Sequence, residues 1–138
     1  MNNYSTPYLI ELPKLGSLEI GFITPINTFG DLPFEIKRTF ITYHTPDIIV
    51  RGRHAHYITE QILVAVNGKI VVNTETADGE LKSFLLDTPY KGVYIPPNVW
   101  HTMQYQKDAI QLVFASSQYD EKDYIRDYDD FKKYWSIK

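Results

Sequence analysis

The chain has 138 residues, 43% of them hydrophobic, with a net charge of −3. That is enough for one domain with a packed core, too few for two typical domains, and too apolar for a disordered chain. With no cysteine and no cluster of Lys or Arg, disulfides, thiolate chemistry and a nucleic-acid partner are excluded. The first residues lack a basic stretch followed by a long apolar run, and no segment approaches the roughly 18 apolar residues of a membrane span. A soluble cytoplasmic protein is expected, forming a single domain over residues 1–138.

In chain order, short strands dominate. Residues from Tyr8 (YLIEL) alternate weakly, Leu18 to Phe22 alternate well, and Arg38 to Tyr43 are β-branched and aromatic. The stretch from Thr24 to Pro33 reads as a loop. Gln61–Val66, Asn67-Gly68 and Lys69–Thr74 have the pattern of a hairpin closed by a type I′ turn. Asp78-Gly79 predicts a further turn into LKSFLL, and Val93–Ile95 and Ile110–Ala115 complete the set. Many short strands separated by turns predict an all-β sandwich or barrel. Asp120 to Trp135 reads instead as a helix, capped by Asp120, with Tyr124, Ile125, Tyr128, Phe131 and Trp135 on one stripe. Its acidic residues are expected on a solvated face.

The residues with chemistry centre on RGRHAH, Arg51 to His56. Two-residue spacing on a strand places His54 and His56 on one face. Glu60 follows, and Trp100-His101 comes after the two prolines of GVYIPPNVWH. His-x-His-x-x-x-Glu followed by Pro…His is the pattern of the cupin superfamily, small jelly-roll barrels in which these side chains hold a divalent metal in many members. Arg51 and Arg53 repeat the two-residue spacing. A cationic rim disfavours a metal ion and suits a phosphorylated substrate, since guanidinium matches phosphate geometry; the alternative is that one of the two, Arg53, points to solvent. Lys37 and Arg38 are further cationic candidates. Imidazole, titrating near pH ~6.5, is also a ready proton carrier. A histidine pair can therefore move a carbonyl to its neighbouring carbon through an enediol, with no redox cofactor.

The sequence resembles the TDP-4-keto-6-deoxyglucose 3,4-ketoisomerases over nearly its whole length. The resemblance is carried by GSL from Gly16, PFEIKR from Pro33, RGRHAH, EQILVAVNG from Glu60, PPNVWHTM from Pro96 and YDEKDYIRDYDDF from Tyr119. It implies a cupin barrel with a C-terminal helix, a homodimer exchanging N-terminal strands, no metal or other cofactor, and a TDP-linked 4-keto-6-deoxyhexose as substrate. The product would be the 3-keto isomer, used in building a deoxyaminosugar for a surface glycan such as O-antigen. By motif, His54 and His56 match the acid/base pair and Arg51 the pyrophosphate contact. Arg38, Gln61, Trp100, His101 and Tyr105 are expected around the substrate. His101 after Trp100 is similar to enzymes giving the galacto configuration at C4, whereas Leu15 stands where family members usually carry arginine or tyrosine. The competing expectations are a metal-dependent cupin using His54, His56, Glu60 and His101, such as a dioxygenase, and a non-catalytic sugar-binding cupin.

Overall fold

The computed structural model describes residues 5–136, with side chains as far as Tyr134. Ten strands precede or flank a single α-helix: β1 (Tyr8–Glu11), β2 (Leu15–Ser17), β3 (Gly21–Ile23), β4 (Arg38–Thr42), β5 (Val50–His56), β6 (Gln61–Glu75), β7 (Leu81–Leu86), β8 (Lys91–Ile95), β9 (Trp100–Ala115), β10 (Tyr124–Ile125) and α1 (Tyr128–Ser136). All the pairings are antiparallel. The all-β barrel with a C-terminal helix expected from the sequence is present.

Two long strands organise the barrel. The first part of β6 lies between β8 and β9, and its second part between β7 and β9. In the same way β9 pairs with β5 near its start and with β4 near its end. The expected hairpin at Asn67-Gly68 is therefore absent: β6 runs straight through it. The register shifts there, between Ala65 and Asn67 and again between Asn67 and Lys69. Positive φ angles at Gly68 (72°), Lys107 (56°) and Asp108 (54°) bend both partners together. Asn-Gly supplies the left-handed backbone that either a turn or a bulge needs, and here the long-range partner β9 selects the bulge. A Cβ on Gly68 would lie 2.6 Å from the Ala109 Cα, so only glycine fits.

The continuous apolar run from Ile62 to Ala65 in β6 follows from burial on both faces. Leu63 and Ala65 face the barrel interior with Ile70, Val72, Leu86, Val93, Tyr105 and Val113. Ile62 and Val64 face outward, where Leu12, Leu32 and Phe34 cover them. The loop expected at 24–33 is thus a strap whose apolar side chains seal the outer face.

Two further expectations change. Leu18-Glu19-Ile20 form a turn between β2 and β3 rather than a strand, and Leu18 is 94% exposed. The helix expected over 120–135 is broken into a 3₁₀ turn at Glu121–Asp123, capped by Asp120, then β10, then α1. Tyr124 and Ile125 leave the aromatic stripe because they pair with His56 and Ala55 on the edge of β5. Asp127 starts α1 afresh, its carboxylate accepting from the Asp130 N–H at 2.9 Å. Phe131 docks α1 on Ala55, Ile125 and Trp100. The side chain of Trp135, expected on the stripe, lies outside the described residues.

Candidate active site

A cavity of about 200 Å³ opens between β4, β5, β6, β9 and the segment after the 3₁₀ turn. A bulge in β5 decides which side chains reach it. Gly52 pairs with Thr102, and a regular ladder would then set Arg53 opposite His101. Instead His54 takes that place. Arg53 adopts a φ of 57° and is exposed. Gly52 permits the close approach, since a Cβ there would lie 2.9 Å from the His101 carbonyl oxygen. The extra residue puts Arg51 and His54 on the cavity wall and turns Arg53 to solvent, so the four basic side chains do not share one face.

His54, His56 and His101 form one cluster, with ring centroids 5.0 Å apart for His54–His56 and 4.7 Å for His54–His101. His54 and His101 line the cavity and His56 stands behind them. His56 is 2% exposed and His101 1%. Each ring is anchored through Nδ1. His54 reaches the Gly52 carbonyl at 3.1 Å and His101 the Val99 carbonyl at 3.1 Å. A carbonyl only accepts, so Nδ1–H donates in both and Nε2 keeps its lone pair. His56 donates instead to the Asp123 carboxylate, 3.1 Å away. The Nε2 atoms of His56 and His101 are buried with no protein partner.

Burial is the main force on all three protonation equilibria. It pushes His54 and His56 down from 6.5 to about 4, with the neighbouring histidine charge acting the same way. His101 falls furthest, to about 3. At neutral pH the cluster is a set of uncharged imidazoles, a state suited to accepting protons.

The other expected residues divide. Arg51 and Gln61 line the cavity. Tyr105 is buried one layer deeper and donates to Oε1 of Gln111, which does line it. Trp100 faces the other way, packing against Tyr128 and Phe131 at 5.4 and 5.7 Å. The neighbour relation of successive strand residues makes this unavoidable once His101 points inward. Arg38 is absent from the cavity wall and lies over the rings of Phe40 and Tyr119, though its charge still reaches His56. His44 is exposed, as expected.

Glu60 does not join the histidines. Its Oε1 accepts from the Tyr94 hydroxyl at 2.6 Å, and it is not on the cavity wall. Among the described residues, no group of three or more His, Cys, Asp or Glu side chains is arranged to hold a metal. The four-ligand set of the metal-dependent alternative is not assembled.

Asp123, Gln111, Tyr124 and Arg126 were not singled out from the sequence as site residues. Tyr124 and Arg126 form one wall, with the guanidinium 4.1 Å from the Tyr124 ring centroid and bonded to Glu121 at 2.6 and 2.9 Å. Asp123 is one of the acidic residues expected on a solvated helix face, and Arg126 lies in the same charge-rich stretch. Only the β10–β5 pairing reveals their place.

Comparison with known proteins identifies the family and its architecture. Residues 5–136 match the family model FdtA: WxcM-like, C-terminal. A protein of Aneurinibacillus thermoaerophilus named TDP-4-oxo-6-deoxy-alpha-D-glucose-3,4-oxoisomerase is 42% identical over 116 residues, covering 83% of this chain and 82% of that protein. The crystal structure of QdtA, a sugar 3,4-ketoisomerase from Thermoanaerobacterium thermosaccharolyticum in complex with TDP, superposes with a TM-score of 0.89 at 35% identity, covering 95% of each chain. A mutant form of QdtA in complex with TDP-4-keto-6-deoxyglucose matches at 0.89 and 33%, covering 99% of this chain and 97% of that one. The cupin-like fold is shared with these proteins, and this chain belongs to the FdtA family of sugar 3,4-ketoisomerases.

Proposed function

We propose that the protein acts as one domain that converts TDP-4-keto-6-deoxy-D-glucose to its 3-keto isomer by proton transfer at the His54/His56 pair. The observation that carries this is a cluster of neutral imidazoles, with the Nε2 atoms of His56 and His101 unpartnered, beside a cavity that also presents Arg51. A base takes the proton from C3 of the 4-ketone, the C3=C4 bond forms, and the C4 oxygen gains a proton. The resulting enediol then loses its O3 proton as C3=O forms and C4 receives a proton. Atoms and electrons balance with no redox partner. Arg51 supplies a permanent charge for the diphosphate, while Gln61 and His101 face the sugar. His101 favours the galacto configuration at C4.

The product serves deoxyaminosugar synthesis for a surface glycan, carried out in the cytoplasm; no helix among the described residues is long and apolar enough to cross a membrane. A homodimer exchanging N-terminal strands completes the assembly. In support, β1 to β3 present Tyr8, Leu9, Leu15, Phe22 and Ile23 to solvent in the lone chain, an apolar surface suited to a second copy.

The test is NMR of chelator-treated protein with TDP-4-keto-6-deoxyglucose in deuterated water. The expected result is a 3-keto product carrying deuterium at C4 from the native chain, and none from a folded His54→Asn variant. Product formed only after a divalent metal is restored would overturn this mechanism, as would native rates in His54→Asn.

A further inference from the structure

The three histidines are held differently, and the difference has chemical consequences. His54 and His101 donate to neutral backbone carbonyls, whereas His56 donates to a carboxylate. A carbonyl fixes a ring; a carboxylate also stabilises the ring once it is charged. Asp123 is itself only 8% exposed. Its Oδ1 accepts from the Ile58 N–H at 2.8 Å, and its Oδ2 accepts from the Thr59 hydroxyl as well as from His56. Together these bonds occupy both oxygens of the carboxylate and fix its position against His56.

The groups facing His56 come from every element packed on it. His54 shares its strand, His101 comes from β9, Tyr124 from β10 at 4.4 Å between ring centroids, and Arg38 from β4. Burial, His101 and Arg38 all disfavour a proton on His56, and Asp123 opposes them.

Building on the ketoisomerase function, we propose that Asp123 is a positioning residue of the isomerisation. It fixes His56 as the Nδ1–H tautomer, leaves Nε2 as its proton-accepting atom, and stabilises the imidazolium formed when that atom takes a proton. His56 is thereby the ring of the cluster best able to carry the proton between its removal and its return, although it stands behind His54. Asp123 touches no reacting atom and acts through His56 alone.

The test uses Asp123→Asn in the full chain. The amide keeps an oxygen for the Ile58 N–H while losing the charge. The expected result is a fall in kcat on the order of 10²-fold, with KM changed little. The limb of the kcat/KM pH profile set by His56 moves to lower pH, because the group favouring its charged form is gone. Side-chain ¹⁵N NMR of the native chain at neutral pH should show His56 protonated at Nδ1 only. This measurement needs neither turnover nor a folded variant, so it tests the inference even if TDP-4-keto-6-deoxyglucose proves not to be the substrate. Protonation at Nε2 in the native chain would overturn the proposal. So would an Asp123→Asn variant with a native pH profile and a loss of rate no larger than its loss of folded protein.

Discussion

Replacing His101 by Gln isolates the cost of keeping an imidazole uncharged inside the barrel. His101 is fully enclosed, and burial lowers it from 6.5 to about 3. Its folded pKa is depressed, so between those values the unfolded chain binds a proton that the folded chain does not. Stability contributed by the neutral ring is therefore full above the unfolded pKa and is lost as pH falls through this window. On going from pH 7 to pH 5 the unfolded imidazole becomes almost fully protonated while the folded one stays neutral, which costs the folded state about 2 kcal/mol. The figure depends little on the folded pKa provided it stays below about 4. The assay is urea denaturation of native and His101→Gln protein at pH 7, 6 and 5, at one protein concentration. The cost of the substitution itself cancels when each protein is compared with itself across pH. Native protein should lose about 2 kcal/mol more than the variant. Equal losses would refute the reasoning and place a proton on His101 in the folded state at pH 5.

Two other outcomes follow from the geometry. Arg51→Ala should weaken TDP binding on the order of 10- to 100-fold by calorimetry, the loss of a charge-assisted contact, and an unchanged affinity would remove Arg51 from the diphosphate site. Gly68→Ala should destabilise the fold by more than about 2 kcal/mol in thermal or urea unfolding, because the added methyl meets the backbone of Ala109 and the Lys107 carbonyl.

The motif residues were legible because their chemistry and spacing are local. His54, His56 and His101 meet as the sequence pattern requires, and Arg51 joins them. What was illegible depends on partners far along the chain. Asn67-Gly68 has the same local preferences in a turn and in a bulge, and the matching bend at Lys107-Asp108 decides between them. The bulge at Gly52-Arg53 moves one arginine outward by shifting register against β9, which no alternation along β5 announces. Asp123 sits 67 residues from His56, inside a segment whose charges fit a solvated helix equally well. Trp100 was assigned to the site with His101 by motif, although adjacent strand positions must face opposite ways.

The segment from the 3₁₀ turn through α1 is fastened to the barrel by fewer contacts than the long strands share: two residue pairs along β5, the hydrogen bonds of Asp123 to His56, Tyr57, Ile58 and Thr59, the Phe131 anchor, and the exposed contacts of Tyr128 and Lys132 with Glu75. Such a segment opens at lower free energy than the β6–β9 ladder. Opening would carry away Asp123, Tyr124 and Arg126 in one step, rehydrate His56 and return its proton affinity toward that of free imidazole. The chemistry of the pocket is thus governed by a local equilibrium separate from the survival of the barrel. A population of molecules can keep every long strand intact and still hold no working site.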